Sequence, residues 1–381
     1  MIYNYFFIAF SDIEMRGIDR KQQSLFSYIS IEDRIAVDHP LRRMKQLTDI
    51  VLATMSPQFD EIYAEGGRPS IAPERLLRAL LIQCLFSIRS ERALIQHIDF
   101  NMMYRWFVGL SLDEPIWDHS TFSANRDRLL KESIMRRFFD GVLGIAEWAD
   151  LVSDEHFSVD GSLLRAWASH KNMAARDGSD EPPGPDQGRN PEVDFRGKKR
   201  SNKTHVSRTD PMALLATKTP GVAYLSYTTH ALGENRNGLV VDVHTTQATG
   251  TAEREAALVM LKRRVERGGK GYTPTVAADR GYDVAEFIEQ VQRHDIVPHV
   301  AAKFRDSAVP ENIKASAGYA VSLRRRKMIE EAFGWVKEIG MLGRIKLRGL
   351  DKVRAHALLN FAAYNLTRMN NLVANRAALS A

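Results

Sequence analysis

The stretch Pro-Thr-Val-Ala-Ala-Asp, residues 274–279, decides the fold class. Four residues suited to an interior strand follow the proline and end at Asp279, a residue type that opens turns. A second run of this kind, His-Phe-Ser-Val-Asp, ends at Asp160. Because open α/β sheets place their sites at strand ends, both aspartates are candidate functional residues.

The pattern around these two runs predicts a mixed sheet. Strands are expected at 157–163, 222–232 and 239–246, and the turn region 233–238 joins the last two. Beyond them the pattern predicts helix 251–267, strand 274–279, helix 285–294, strand 296–301 and helix 323–339. A three-strand meander followed by alternating helices and strands predicts a five-strand α/β sheet with flanking helices, the ribonuclease H-like arrangement. Its first and fourth strands are neighbours, which would set Asp160 beside Asp279.

A third acidic residue is expected on the helix 323–339. On this helix Arg326, Glu330 and Lys337 share one face. Glu331 lies about a quarter-turn away and is the alternative. We favour Glu330, because Arg326 and Lys337 on the same face would contact phosphates. The alternative for Arg326 and Glu330 is an ordinary surface pair one helical turn apart.

Three converging carboxylates favour a divalent-metal site. Mg²⁺ prefers oxygen ligands, keeps several waters and takes phosphate oxygens from a substrate. Two such ions, roughly 4 Å apart, can activate an attacking oxygen and stabilise a leaving oxygen on phosphorus. We therefore expect Asp160, Asp279 and Glu330 to be both catalytic residues and ligands of two Mg²⁺ ions, with Mn²⁺ as the alternative. Each aspartate alone would usually be a turn residue, so the combination carries the argument.

Composition excludes several classes of protein. The chain has 381 residues, of which 44% are hydrophobic and 26% charged, with a formal net charge of +6. The single cysteine, Cys84, excludes a disulfide framework and a cysteine-ligated zinc or iron–sulfur site, and it fits a reducing cytosol. No apolar stretch approaches the ~20 residues of a membrane span, and no glycine–lysine phosphate-binding motif is present. The basic pI of about 9.3 suits a polyanionic partner.

Residues 30–150 are predicted to form a helical DNA-binding domain, preceded by an N-terminal extension at 1–29. Short helices with tight joints end in a basic helix carrying Arg126 and Arg128, which allows a helix-turn-helix-like DNA contact. The alternative is a plain helical bundle whose arginines are solvated. Met15 begins Met-Arg-Gly and is a second candidate start of the natural chain.

Residues 170–218 are expected to be a mobile basic insertion in a catalytic domain at 151–350. Its first part, 177–191, is rich in proline and glycine, which is typical of a loop. The following stretch 196–208 has six Lys and Arg residues and no acid. Its candidate phosphate contacts are Arg196, Lys198, Lys199, Arg200 and Lys203. The alternative is a solvated basic loop.

These motifs together resemble the bacterial DDE insertion-sequence transposases, in the insertion-sequence-5 and insertion-sequence-4 grouping. The resembling segments are 67–81 through 118–123, then 157–162, 201–211 and 278–283. The third motif of that family is Tyr-x2-Arg-x3-Glu-x6-Lys, and Arg326, Glu330 and Lys337 match its spacing. Leu323 stands at the tyrosine position. Glu330 lies only 51 positions after Asp279, so the large β insertion of some relatives has no room there.

The resemblance implies a transposase that binds the terminal inverted repeats of its insertion sequence. It would cleave strands with Mg²⁺ and transfer 3′-hydroxyl ends into double-stranded target DNA. It further implies a homodimer or higher assembly on DNA, at the nucleoid in the bacterial cytoplasm, and a C-terminal helix at 351–381 packed on the catalytic domain. Two alternatives remain: a ribonuclease H-like DNA nuclease that never joins ends, and a catalytically silent DNA-binding regulator.

Overall fold

The computed structural model describes residues 30–62, 70–178, 200–217, 222–267 and 273–380, with the last five of these as backbone only. The predicted extension 1–29 lies outside the described residues. So do most of the proline- and glycine-rich loop and the candidate phosphate contacts Arg196, Lys198 and Lys199. The remaining candidate residues of the site are described with their side chains.

The N-terminal part is helical, as predicted. The Ser90 hydroxyl accepts from the backbone N–H of Ala93 at 3.1 Å, and the Asp118 carboxylate caps the following basic helix in the same way. Pro73 occupies the first turn of its helix, where its missing N–H costs no bond. The helices are α1 (Ile31–Arg34), α2 (Pro40–Thr54), α3 (Ser56–Asp60), α4 (Pro73–Leu85), α5 (Glu91–Phe100), α6 (Met102–Val108), α7 (His119–Leu129) and α8 (Glu132–Trp148).

A mixed sheet of six strands follows: the five predicted strands are confirmed, and a short strand, β4, is the sixth. Its strands are β1 (His156–Arg165), β4 (Leu214–Ala216), β5 (Tyr224–Glu234), β6 (Val240–Gln247), β7 (Thr275–Ala278) and β8 (Val297–Val300), while β2 (Met173–Ala175) and β3 (His205–Ser207) pair separately. The order across the sheet is β6, β5, β1, β7 and β8. The short β4 pairs with the beginning of β5, on the same edge of β5 as β6. The β1–β7 and β7–β8 pairs are parallel, and the pairs that β5 makes with β1, β4 and β6 are antiparallel.

The remaining helices include one correction to the sequence-based prediction. They are α9 (Ala252–Glu266), α10 (Ala285–Arg293), α11 (Glu311–Lys314), α12 (Ala317–Arg325), α13 (Met328–Glu338) and α14 (Leu350–Ser380). The single helix predicted at 323–339 is wrong, because a turn at residues 326 and 327 separates α12 from α13. At this turn the N–H of Glu330 donates to the carbonyl of Lys327 at 3.0 Å, a three-residue bond that tightens the backbone.

Helices cover both faces of the sheet. A Cβ on Gly161 of β1 would meet Glu253 of α9, whereas a Cβ on Gly233 of β5 would meet Ile329 of α13. Thus α9 lies on one face, and α13 with the 31-residue α14 lies on the other. The helix α14 also packs against α8, α2 and α4, so it contacts the N-terminal helices as well as the sheet. The buried apolar side chains of both regions form one connected cluster.

The turn between β5 and β6 is organised by one buried carboxylate. Glu234 is 1% exposed, and its two oxygens accept backbone N–H groups of Arg236, Asn237 and Leu239 at 2.8–3.0 Å. Charge-assisted bonds of this kind satisfy the donors that a sharp turn leaves unpaired. The predicted hairpin turn at 233–238 is therefore present, and Glu234 fixes its shape.

None of the helices among the described residues combines the length and the apolar character that crossing a bilayer requires.

Candidate active site

Strand register places the two aspartates opposite each other. β7 pairs in parallel with β1 through His156, Phe157 and Ser158, whose partners are residues 275, 276 and 277. Continuing this register by two residues sets Asp279, which directly follows β7, opposite Asp160. Asp160 lies within β1, five residues before its end at Arg165. The sequence predicts Asp160 near the end of its strand, which is wrong, because the pairing with β5 carries β1 onward to Arg165.

The side chain of Asp160 faces the α13 side of the sheet. Neighbouring residues of a strand point to opposite faces, and Gly161 faces His230 and Glu253 on the α9 side. Asp160 therefore points towards the face that α13 covers, and α13 carries Glu330. β7 has already ended at this level, so the edge of β1 is open beside Asp160 within the described part of the chain.

The pKa of Asp160 depends on its burial and on the charged groups around it. Burial raises it above the usual value, and the negative charges of Asp279 and Glu330 raise it further. The backbone N–H of Gly161, which donates to Asp160 at 2.9 Å, and the Arg326 guanidinium lower it. Two further carboxylates and one guanidinium thus act on Asp160, although they come from the end of β7, from α13 and from the turn before α13.

Asp279 is held in place by the turn that it opens. Its carboxylate accepts the N–H of Gly281 at 2.8 Å, which caps the short turn at residues 280–282. A Cβ at Gly281 would lie 3.0 Å from the same carboxylate oxygen, so glycine permits this close approach. Beneath it, burial raises the pKa of Tyr282 well above the usual value, and the charges of Glu253, Asp160 and Asp279 add to the effect.

Glu330 and Glu331 have different surroundings. The carboxylate of Glu330 lies 3.9 Å from the Arg326 guanidinium and is 57% exposed. That of Glu331 lies 3.7 Å from Arg368 of α14. The charge of Glu330 is among the five largest influences on the pKa of Asp160, and that of Glu331 is not.

The donor chemistry fits a hard divalent cation. Carboxylate oxygens are the ligands that Mg²⁺ and Mn²⁺ take in proteins. The excess of negative over positive charge around Asp160 is what such an ion would balance. Within the described residues, no three acidic, histidine or cysteine side chains already lie close enough together to hold an ion. Glu330, turned towards Arg326, would have to swing towards the aspartates.

The candidate DNA-contacting residues lie in varied surroundings. Arg126 is held by Glu91 and by Asp127, so its guanidinium is largely committed within the helical part. Arg128 and Lys203 are exposed. Arg200 donates to the carbonyl of His170, next to the small β2–β3 sheet. Lys337 is half-buried beside the turn at Gly343.

Sequence reasoning passed over a cluster of cations at the end of β1. The guanidinium of Arg165 lies 3.8 Å from the centre of the Tyr224 ring, and that of Arg344 lies 4.9 Å from the Trp167 ring. A signal was present, since Arg344, Lys346 and Arg348 alternate with apolar residues, as in an extended segment with one exposed basic face.

Two family models match the chain. A transposase domain (DUF772) matches residues 29–128, and a transposase DDE domain matches residues 216–366. The second match includes Asp279 and Glu330, whereas Asp160 lies between the two matched stretches. No curated protein sequence matches the chain at a significant level.

Three solved structures illustrate the more distant likenesses. A piggyBac transposase synaptic complex with hairpin DNA is 10% identical, with a TM-score of 0.42, over 88% of this chain and 76% of that chain. A pre-cleavage Mos1 transpososome is 9% identical, with a TM-score of 0.21, over 81% and 82% of the two chains. A Mos1 mariner paired end complex with Mn is 11% identical, with a TM-score of 0.20, over 84% and 85%. No conclusion about this chain rests on likenesses so distant.

The order of the sheet, the two aspartates at one level of it and the two family matches agree with one another. The chain, with a transposase domain in its helical part and a transposase DDE domain over most of its sheet, is an insertion-sequence DDE transposase.

Proposed function

We propose that this transposase cleaves and joins DNA with Asp160, Asp279 and Glu330 as its catalytic residues. One observation carries the assignment: the β1–β7 register brings two aspartates from distant parts of the chain to one level of the sheet, and Glu330 acts electrostatically on the same carboxylate. The ion pair of Glu331 with Arg368 supports Glu330 over its neighbour.

The proposed cofactor is a pair of Mg²⁺ ions, with Mn²⁺ as a substitute. Such ions supply an activated oxygen nucleophile and stabilise the leaving oxygen. Asp160 and Asp279 would hold them between two strand positions, and Glu330 would complete the ligand set from α13. Arg326, which already lies beside Glu330, is suited to bind a phosphate oxygen of the scissile strand and to orient it.

The proposed partners are the terminal inverted repeats of the element and a double-stranded target. We further propose the insertion-sequence-5 and insertion-sequence-4 grouping, on the spacing of Arg326, Glu330 and Lys337, and assembly as at least a dimer on DNA. The division into a helical DNA-binding domain at 30–150, a catalytic domain at 151–350 and a C-terminal helix at 351–381 belongs to the same proposal. Its phosphate contacts would include Arg128, Lys203 and Lys337.

The test uses a supercoiled plasmid carrying the ends of the element, with Mg²⁺ or with EDTA, followed by sequencing of the product junctions. We expect metal-dependent cuts at the ends and joined products. Asp160→Asn, Asp279→Asn and Glu330→Gln should each abolish both, while binding to the same DNA persists. An aspartate or glutamate variant that keeps full activity would remove that residue from the site.

The same experiment separates the two rival functions. Metal-dependent cuts without any joined product would identify a nuclease. Binding to the ends without cuts, with or without metal, would identify a DNA-binding regulator.

A further inference from the structure

A basic and aromatic surface lies at the end of β1, away from the acidic residues. Arg165, Trp167, Tyr224, Arg344 and Lys346 form what we call the basic–aromatic surface. Trp167 is 42% exposed and Tyr224 is 40% exposed, and each ring is covered by an arginine guanidinium. Cation–ring contacts of this kind hold the guanidinium plane in one orientation while its N–H groups stay accessible.

The fold fixes this surface relative to the acidic residues. The N–H of Arg165 donates to the carbonyl of Gly343 at 3.1 Å, and the N–H of Ile345 donates to the carbonyl of Arg165 at 2.9 Å. The segment 343–345 thereby adds in parallel to the edge of β1 that β7 has left. Arg165 lies five positions beyond Asp160 along β1, which is a distance of about 16 Å. This distance is about half of one turn of duplex DNA, whose turn is roughly 34 Å.

The surface also reaches the N-terminal helices. Lys346 donates to the carbonyl of Arg89, in the segment between α4 and α5. Arg89, Arg126, Arg344 and Lys346 line one cavity of about 280 Å³ at this junction, and Glu91 is the acidic residue in its lining. Since Glu91 is paired with Arg126, the positive charge of the junction exceeds the negative charge.

We infer that the basic–aromatic surface binds the sugar–phosphate backbone of duplex DNA next to the strand being processed. The inference rests on the proposed function, because it takes the DNA that reaches Asp160 as its ligand. Guanidinium groups present two parallel N–H donors to a phosphate, and an exposed lysine adds a point charge. Residues 160 and 165 of β1 point to opposite faces of the sheet, so a duplex with one phosphate at the acidic residues would cross the edge of β1 to set further phosphates over Arg165 and Arg344.

The test measures binding of the full-length protein to a labelled duplex of random sequence, in EDTA, over a range of salt concentrations. For the Arg165→Gln, Arg344→Gln double variant we expect roughly tenfold weaker binding and a salt slope smaller by about 1.8, since each lost phosphate contact removes about 0.9. The matched control is Lys262→Gln with Arg293→Gln, two exposed cations on α9 and α10. This control loses the same charge and should keep nearly the wild-type salt slope. In a separate variant, Arg165→Lys with Arg344→Lys should keep most of the wild-type binding.

The outcomes separate this inference from the proposed function. Wild-type protein that does not bind duplex DNA overturns both. Wild-type binding, with a double variant that keeps the wild-type affinity and slope, overturns the inference alone. If the double variant lacks the wild-type thermal transition, Arg344→Gln and Lys346→Gln are measured singly. Each should lower the slope by about 0.9, and unchanged slopes would again refute the inference.

Discussion

Glu330 and Glu331 are adjacent in sequence but contact different parts of the molecule. The charge of Glu330, like that of Asp279, raises the pKa of Asp160, whereas Glu331 pairs with Arg368 of α14. We therefore expect Glu330→Gln to lower strand cleavage at least 10³-fold, the size of effect seen when a group acting on the transition state is lost. Glu331→Gln should stay within a few fold of the wild type. The measurement is the initial rate of end cleavage with Mg²⁺, and loss of activity in Glu331→Gln alone would reverse the assignment.

His230 provides a residue-scale prediction about pH. It is fully buried in β5, and burial, followed by the neighbouring His244, lowers its pKa to about 3 from the usual 6.5. The folded pKa lies below the unfolded one, so the stabilising effect is complete above pH 6.5 and is lost as the pH falls towards 3. At about 1.4 kcal/mol per pH unit, the loss between pH 6.5 and 5 is about 2 kcal/mol.

The measurement for His230 is urea unfolding at pH 7 and pH 5, for the wild type and for His230→Asn. The free energy of unfolding should fall by about 2 kcal/mol less in the variant, since its other titrating groups are unchanged. An equal fall in both proteins would show that His230 does not contribute to acid sensitivity.

At the element scale, the β5–β6 turn depends on Glu234. Its carboxylate accepts hydrogen bonds from three backbone N–H groups of the turn. Because Glu234 is buried, solvent could not replace those bonds. Glu234→Ala should lower the free energy of unfolding by about 3 kcal/mol, because buried donors are left unsatisfied. Glu289→Ala on α10, whose side chain is 64% exposed, is the control and should change stability by less than about 0.5 kcal/mol. Chemical denaturation measures both, and equal stabilities would contradict the role of Glu234.

The break between α12 and α13 is a second feature of element scale. Arg326 belongs to the turn and Glu330 to the first turn of α13, so the stripe of Arg326, Glu330 and Lys337 predicted from one continuous helix holds only in part. The i, i+4 pair of Arg326 and Glu330 survives at 3.9 Å, because both turn residues keep right-handed helical dihedral angles. A pattern of residue types predicts helix, but a one-turn irregularity inside it leaves no comparable signal.

At the scale of the whole molecule, α14 holds the N-terminal helices to the sheet. It contacts α8, α2 and α4 on one side and β6 and α13 on the other. A chain that ends at Gly349 should therefore lose the cooperative unfolding transition of both regions, because it exposes a face of each. A chain that ends at Asn375 removes only the end of α14 and should keep the transition. Circular dichroism during heating compares the two, and a sharp transition in the shorter chain would show that the regions fold independently.

Local pattern determined much of this protein. The order of strands and helices, the caps at Ser90 and Asp118 and the positions of the three acidic residues all follow from residue types within a few positions of one another. They sufficed to predict the five main strands of the sheet and a candidate metal site, and the resemblance of the motifs to a known family implied the class of enzyme. Element ends and the α12–α13 break could not be read in this way, because neighbouring elements decide where a strand or helix stops.

Tertiary structure alone decided which distant residues meet. The β1–β7 register sets Asp160 opposite Asp279, and the docking of α13 places Glu330 where its charge acts on Asp160 and Glu331 beside Arg368 of α14. Arg165 and Arg344 are likewise joined only when the segment 343–345 completes the edge of β1. Contacts between residues more than a hundred positions apart depend on register and helix docking. Both are set by the packing of one shared core, and no local stretch of sequence determines that packing.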